Sequence, residues 1–168
     1  MVVTIDADYR EALDKGHVAG IVSETPFDPL PLRTVTDIIG HIEAYQPGQF
    51  YRRELQCVDA VMKQLDGGQI EMILVDGYAD FGTERAALGS YVYDKYHLPV
   101  IGIAKNPFRG CVLKDTEVFR GDSRRPLFVT CRGIAPEDAK EIVRKMAGRY
   151  RIPDLVKLAD KAARNGNL

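Results

Sequence analysis

Four acidic residues stand where the ends of regular elements could bring them together. Asp6 lies in an opening apolar, β-branched run and Glu54 in the first turn of an amphipathic stretch. Asp76 closes an almost wholly apolar run, and Asp160 falls near the carboxyl end. Scattered acids that converge on one sheet form a site for Mg²⁺ or Mn²⁺, hard cations that take carboxylate oxygens and accept phosphate oxygens in their remaining positions. Such a site activates water and neutralises a leaving oxygen, which is the chemistry of phosphodiester hydrolysis. Asp8, two residues beyond Asp6, shares its face of an extended strand and is a further candidate ligand or outer partner. Each acid also has a plainer use. Glu54 and Asp154 complement the positive end of a helix, and Asp76 before Gly77 is ordinary turn chemistry. Asp160 beside Lys157, Lys161 and Arg164 reads on its own as a surface ion-pair member.

Other chemistries find less support. His17, His41 and His97 have no metal-ligand spacing, and Cys57, Cys111 and Cys131 form neither a C-x-x-C pair nor a disulfide framework. Neither G-x-x-x-x-G-K-[ST] nor G-x-G-x-x-G occurs, which disfavours a nucleoside triphosphatase or a dinucleotide enzyme. The net charge of −1 conceals a division: residues 1–84 hold 6 basic and 15 acidic residues, net −9, and residues 85–168 hold 17 and 9, net +8. A basic surface beside clustered acids suits a phosphate-bearing substrate held near a metal, although charges that merely solvate helices give the same count.

The elements that must position these residues follow from the apolar pattern. Val2–Asp6 and Val18–Val22 read as a hairpin, and Arg33–Ile38 as a third strand after the proline-rich TPFDPLPL. Phe50–Leu65 has helical spacing and stops at Asp66-Gly67-Gly68; Ile70–Val75 reads as a buried central strand. A helix over Thr83–Tyr96, strands over Val100–Ala104 and Leu127–Thr130, and helices over Glu137–Tyr150 and Asp154 to about Arg164 complete the chain. A meander followed by alternating helices and strands predicts an α/β domain with a mixed central sheet flanked by helices. With 168 residues and 45% of them hydrophobic, a single domain over 1–168 is expected. No apolar run reaches the roughly 18–20 residues that cross a bilayer, and the first residues lack a signal-peptide pattern, so no membrane association and a cytoplasmic location are expected.

An ordered set of motifs then carries a family resemblance. Tyr45-Gln46-Pro47-Gly48-Gln49-Phe50-Tyr51-Arg52-Arg53-Glu54, Leu74-Val75-Asp76-Gly77, Ile101-Gly102-Ile103-Ala104-Lys105, Arg125-Pro126-Leu127-Phe128-Val129, and Arg149-Tyr150-Arg151-Ile152-Pro153 with Ala159-Asp160 together resemble endonuclease V over nearly the whole chain. The resemblance implies a ribonuclease H-like fold and Mg²⁺-dependent hydrolysis, with Mn²⁺ as a substitute. It also implies action near deaminated purines, chiefly inosine, in DNA or RNA, at the second phosphodiester on the 3′ side. The implied role is nucleic-acid repair; a monomer is expected, although the sequence itself does not fix the oligomeric state. Asp6 matches the aspartate of a D-V-x-Y-like segment, Glu54 the glutamate of F-R-E, and Asp76 the aspartate of V-D-G. Asp160 matches a late Asp-or-His position, which reverses its plainer reading. These four are the implied metal ligands and catalytic acids. Lys105 matches the lysine of G-V-A-K, near phosphate or the attacking water.

The same resemblance implies a strand-opening wedge at Ala44-Tyr45-Gln46-Pro47, where Tyr45 stacks in the place of a departed base and Pro47 stiffens the turn. Gly48, Gly77 and Gly102 line up with glycines near the family's base pocket. Arg109, Lys114, Arg120, Arg124 and Arg125 are candidate contacts to the nucleic-acid backbone. Three departures stand out: the family's leading helix has no counterpart, Ala44 and Gln46 replace Pro and Ile in the wedge, and Tyr78–Glu84 adds two acids after Val-Asp-Gly. They leave two alternatives to the inosine-directed nuclease: a non-catalytic nucleic-acid-binding member, and a nuclease without inosine preference.

Overall fold

The structure, a computed structural model, describes residues 1–40, 51–65 and 69–165. Strand β1 (Val2–Arg10) turns through a short 3₁₀ segment into β2 (Lys15–Ser23), and β3 (Arg33–Gly40) completes the meander. Helix α1 (Tyr51–Gln64) leads to β4 (Met72–Asp76), α2 (Leu88–Tyr96) to β5 (Val100–Ala104). Then come β6 (Glu117–Val118), β7 (Leu127–Arg132), α3 (Pro136–Lys145) and α4 (Asp154–Arg164). The seven strands form one sheet in the order β3-β2-β1-β4-β5-β7-β6. Strands β1, β4 and β5 run parallel, and the remaining pairs are antiparallel.

The period-2 alternation of each strand divides the apolar residues between two layers. Val3, Ile5, Ile73 and Val75 pack with Val58, Val61 and Met62 of α1 and with Val92 of α2. On the opposite face, Val2, Leu74, Ile101, Ile103 and Leu127 pack with Ala139 and Val143 of α3 and with Leu155, Val156 and Ala159 of α4. Each fully buried Leu or Ile contributes roughly 1.5–3 kcal/mol over its exposed state. Asp6 therefore shares a face with Val2, and Asp76 with Leu74. Register pairs Ile5 with Val75, so the two aspartates leave adjacent parallel strands side by side, toward the face that α4 covers.

Several boundaries differ from the sequence expectation, each for a local reason. Strand β1 continues past Asp6 because the hairpin stays paired as far as Arg10 opposite Lys15. Helix α2 begins only at Leu88 and not at Thr83. The Asp80 carboxylate accepts the Gly82 N–H at 2.8 Å, and Gly82 adopts φ 69, so this stretch forms a loop. Helix α3 stops at Lys145, well before Tyr150. Met146 turns extended at φ −51, ψ 145, and the Arg120 guanidinium donates to the freed carbonyls of Met146, Ala147 and Gly148. The two-residue β6 carries too few apolar positions to be legible in the sequence. Among the described residues no helix is long and apolar enough to cross a membrane.

Candidate active site

The middle of β1, just past its last pairing with β4, and the carboxyl ends of β4 and β5 meet α4 at one point. One carboxylate oxygen each from Asp6, Asp76 and Asp160 lies within 4.8 Å of the others. Lys105, the residue after β5, places its ammonium 2.5 Å from Asp76 Oδ2 and 3.7 Å from Asp160 Oδ1. Asp160 comes from α4 and accepts from Arg164 one turn later, with Nε 3.1 Å from Oδ1. Its plainer use as an ion-pair member thus coexists with a place in the cluster. Glu54, in the first turn of α1, lines with Asp6, Tyr9 and Asp76 a small cavity of about 40 Å³ on the α1 side. Asp8 lies outside the cluster and pairs with Arg10 at 3.3 Å.

The electrostatics follow from crowding acids in a half-buried site. Burial first, and then the charges of Asp76 and Asp160, push the Asp6 carboxyl up to about 7 against the opposing pull of Lys105 and the Ala7 N–H. Burial likewise pushes Glu54 up to about 8; Arg53 opposes this, while Asp76 and Asp6 add to it. For Lys105 burial acts against the ammonium, but the hydrogen bond and charge of Asp76 with the charges of Asp6 and Asp160 outweigh it and raise its pKa. Beneath Glu54, burial also raises the Tyr9 phenol and takes the Cys57 thiol to about 11. The Arg53 guanidinium lies 4.2 Å from the centre of the Tyr9 ring.

These residues fit a hard divalent cation. Oxygens bound about 2.1 Å from one Mg²⁺ lie no more than about 4.2 Å apart, so the three aspartates need to close by only a fraction of an ångström. Asp6, Asp76 and Asp160 would hold the ion, with Glu54 next to it. The raised acids and the paired lysine express the same demand for positive charge.

The other sequence candidates are placed as follows. Tyr45, Gln46, Pro47 and Gly48 lie outside the described residues. Gly77 adopts φ 130, which favours glycine, with open space at its Cβ position. A Cβ on Gly102 would sit 2.3 Å from Ala79 N and 2.6 Å from Gly77 O, so this glycine lets the backbone leaving β4 cross directly over β5. Arg109, Lys114, Arg124 and Arg125 are exposed. Arg120 corrects the expectation of a nucleic-acid contact. It is 5% exposed, and its guanidinium donates to the carbonyls of Arg144, Met146, Gly148, Tyr150 and Arg151. Sequence reasoning also gave no role to Arg151, although it stands in the quoted Arg-Tyr-Arg-Ile-Pro motif. It donates to the Lys105 carbonyl and to Pro126 O at 2.8 Å, fixing the end of β5.

A mixed sheet with carboxylates gathered at the ends of its central parallel strands is the ribonuclease H-like arrangement, the α/β fold expected from the sequence. The chain belongs to the endonuclease V family, whose profile matches residues 1–123, and that membership makes it a nuclease. Solved structures share the fold. Endonuclease V of Streptomyces avermitilis superposes with a TM-score of 0.79 at 24% identity, covering 98% of this chain and 79% of that one. Endonuclease V of Ciona intestinalis, in complex with a 23mer DNA containing an inosine followed by a ribo-adenosine, gives 0.79 at 17% identity, with 98% and 83% covered. The catalytic domain of human endonuclease V gives 0.76 at 18% identity, with 98% and 80% covered. No curated protein sequence matches the chain.

Proposed function

We propose that this chain is a Mg²⁺-dependent endonuclease that hydrolyses a phosphodiester on the 3′ side of deaminated purines, chiefly inosine, in DNA or RNA, in the service of nucleic-acid repair. In this reading it is a single domain over 1–168 that acts as a monomer in the cytoplasm. The convergence of Asp6, Asp76 and Asp160 within 4.8 Å, with Lys105 against two of them, carries the proposal. The Ciona relative in complex with inosine-containing DNA supports the substrate class. When bound, the metal supplies charge neutralisation at the scissile phosphate and a more acidic water.

The side chains divide the remaining work. Asp6, Asp76 and Asp160 would hold the ion, whose remaining positions would take phosphate oxygens. Lys105 balances their charge and lies within reach of a phosphate oxygen or the attacking water. Glu54 stands next to the ion's place on the α1 side, and without the ion burial pushes its carboxyl up to about 8. The wedge residues Tyr45, Gln46 and Pro47 with Gly48 separate the target base from its partner; Gly77 and Arg109 face the strand that carries it, and Gly102 acts from beneath by seating the backbone of Gly77 to Ala79. The altered Tyr78–Glu84 segment favours one second reading, a nuclease without inosine preference.

The test is cleavage of labelled single- and double-stranded DNA and RNA, with and without one inosine, in Mg²⁺. Cutting confined to inosine substrates supports the proposal. Equal cutting of both sets supports the second reading, and no cutting removes both.

A further inference from the structure

A cavity of about 500 Å³ is bounded by Tyr78, Phe108 and Phe119, on the segments that follow β4, β5 and β6, and by Phe128 of β7 and Lys140 of α3. We propose that this cavity receives an unpaired nucleobase of the substrate strand, at a position separate from the target base. The inference rests on the nuclease reading above and adds a binding position to it.

Three observations converge on a base. The volume falls within the roughly 300–1,000 Å³ of small-ligand sites. Its walls are aromatic and accessible: Phe119 is 53% and Phe108 38% exposed, far above what a packing role needs. Stacking on such rings is how proteins hold unpaired bases without reading their sequence. In the polar lining the carboxylates of Asp115 and Glu117 are acceptors that suit the N–H edge of a base and repel a phosphate, while the buried Lys140 ammonium is already held by Asp115 O at 3.1 Å and Glu137 at 2.6 Å. Phosphates are better served outside, where Arg85, Arg109 and Lys114 are exposed. Arg85 lies 5.9 Å from the Phe108 ring centre and 5.8 Å from that of Phe81.

Two of the wall residues follow the catalytic strands closely. Tyr78 follows Asp76 by two residues and Phe108 follows Lys105 by three. The Tyr78 hydroxyl donates to Asn106 O and accepts the Phe108 N–H, each at 3.0 Å. One phenol thus joins the segments that leave β4 and β5. Phe81 completes the contact, 4.8 Å from Phe108 between ring centres. The lining includes neither Gly77 nor Gly102, the glycines associated with the target base.

The experiment uses the full chain carrying Asp76→Asn, so that strands bind in Mg²⁺ without being cut. 2-Aminopurine is placed at successive positions around the inosine of a single-stranded oligonucleotide. Its emission is uncontaminated because the chain has no tryptophan. At one position outside the inosine, binding should quench the emission. Phe119→Ala should abolish that quench and weaken single-strand affinity about 5- to 100-fold, with Phe119→Tyr restoring both. Phe108→Ala should act in the same direction. Phe119 is an exposed side chain, and unchanged thermal unfolding of its variants verifies folding. Absence of a Phe119-dependent quench at every position, or wild-type single-strand affinity in Phe119→Ala, overturns the proposal. Cleavage by the unmodified chain reports on the nuclease reading alone, so the two can fail separately.

Discussion

Replacing Glu54 by Gln should stabilise the metal-free protein at alkaline pH and leave it unchanged in acid. Glu54 titrates at about 8 when folded, against 4.5 for an ordinary glutamate, because burial and the nearby charges of Asp76 and Asp6 disfavour its ionised form. Below pH 4.5 both folded and unfolded chains are protonated there, and the contribution of the group to stability is complete. Between 4.5 and 8 the unfolded chain releases its proton while the folded chain keeps it, so stability falls as pH rises and levels off above the folded value. A proton held at about 8 in place of 4.5 corresponds to roughly 5 kcal/mol. Relaxation and water at the cavity mouth reduce the expected loss to about 2–4 kcal/mol. Glutamine cannot ionise and preserves the shape, so it should recover most of that loss at pH 9, about 5–15 °C in Tm for a chain of this length. Urea unfolding in EDTA at pH 5 and pH 9 measures it. The same decline between these pH values in variant and wild type would refute the reasoning.

Three further outcomes follow from the geometry. Lys105→Ala should lower the rate of phosphodiester cleavage about 10²–10³-fold at saturating Mg²⁺, measured by single-turnover kinetics, because the ammonium held against Asp76 and Asp160 is lost from the site. Arg120→Ala should destabilise the chain by about 2–4 kcal/mol in urea unfolding, since several carbonyls between Arg144 and Arg151 lose their donor, and Arg120→Lys should recover little of it. Adding Mg²⁺ at 100 times its Kd should stabilise the wild type by about 2.7 kcal/mol, read as a rise in Tm, and should leave Asp76→Asn essentially unmoved.

The parts of the fold that were legible in the sequence are those where local pattern and tertiary demand agree. Ile70–Val75 is apolar because β4 is buried on both faces, and the acid at its end is where that strand emerges. The period of α1 and the proline at the start of α3 were equally direct. What the pattern could not show depends on partners distant in sequence. The stop of α3 is set by a guanidinium from position 120, and the loop before α2 by the Asp80 carboxylate. At the site, Asp6 and Asp76 could be paired from strand order, but Asp160 looked like a surface residue until the family motif gave it a partner. Its salt bridge to Arg164 accounts for that appearance. Arg151 was invisible as a site residue because it acts through its contact with the carbonyl, and not the side chain, of Lys105.

The proposed activity is phosphodiester hydrolysis by the clustered carboxylates, directed by inosine. Single-turnover cleavage of one oligonucleotide, with and without a single inosine, by wild type and Asp76→Asn in Mg²⁺ tests it most directly. The expected outcome is a cut on the 3′ side of inosine by the wild type, no cut without inosine, and loss of cleavage with retained binding in Asp76→Asn. Wild-type cleavage by Asp76→Asn would contradict it.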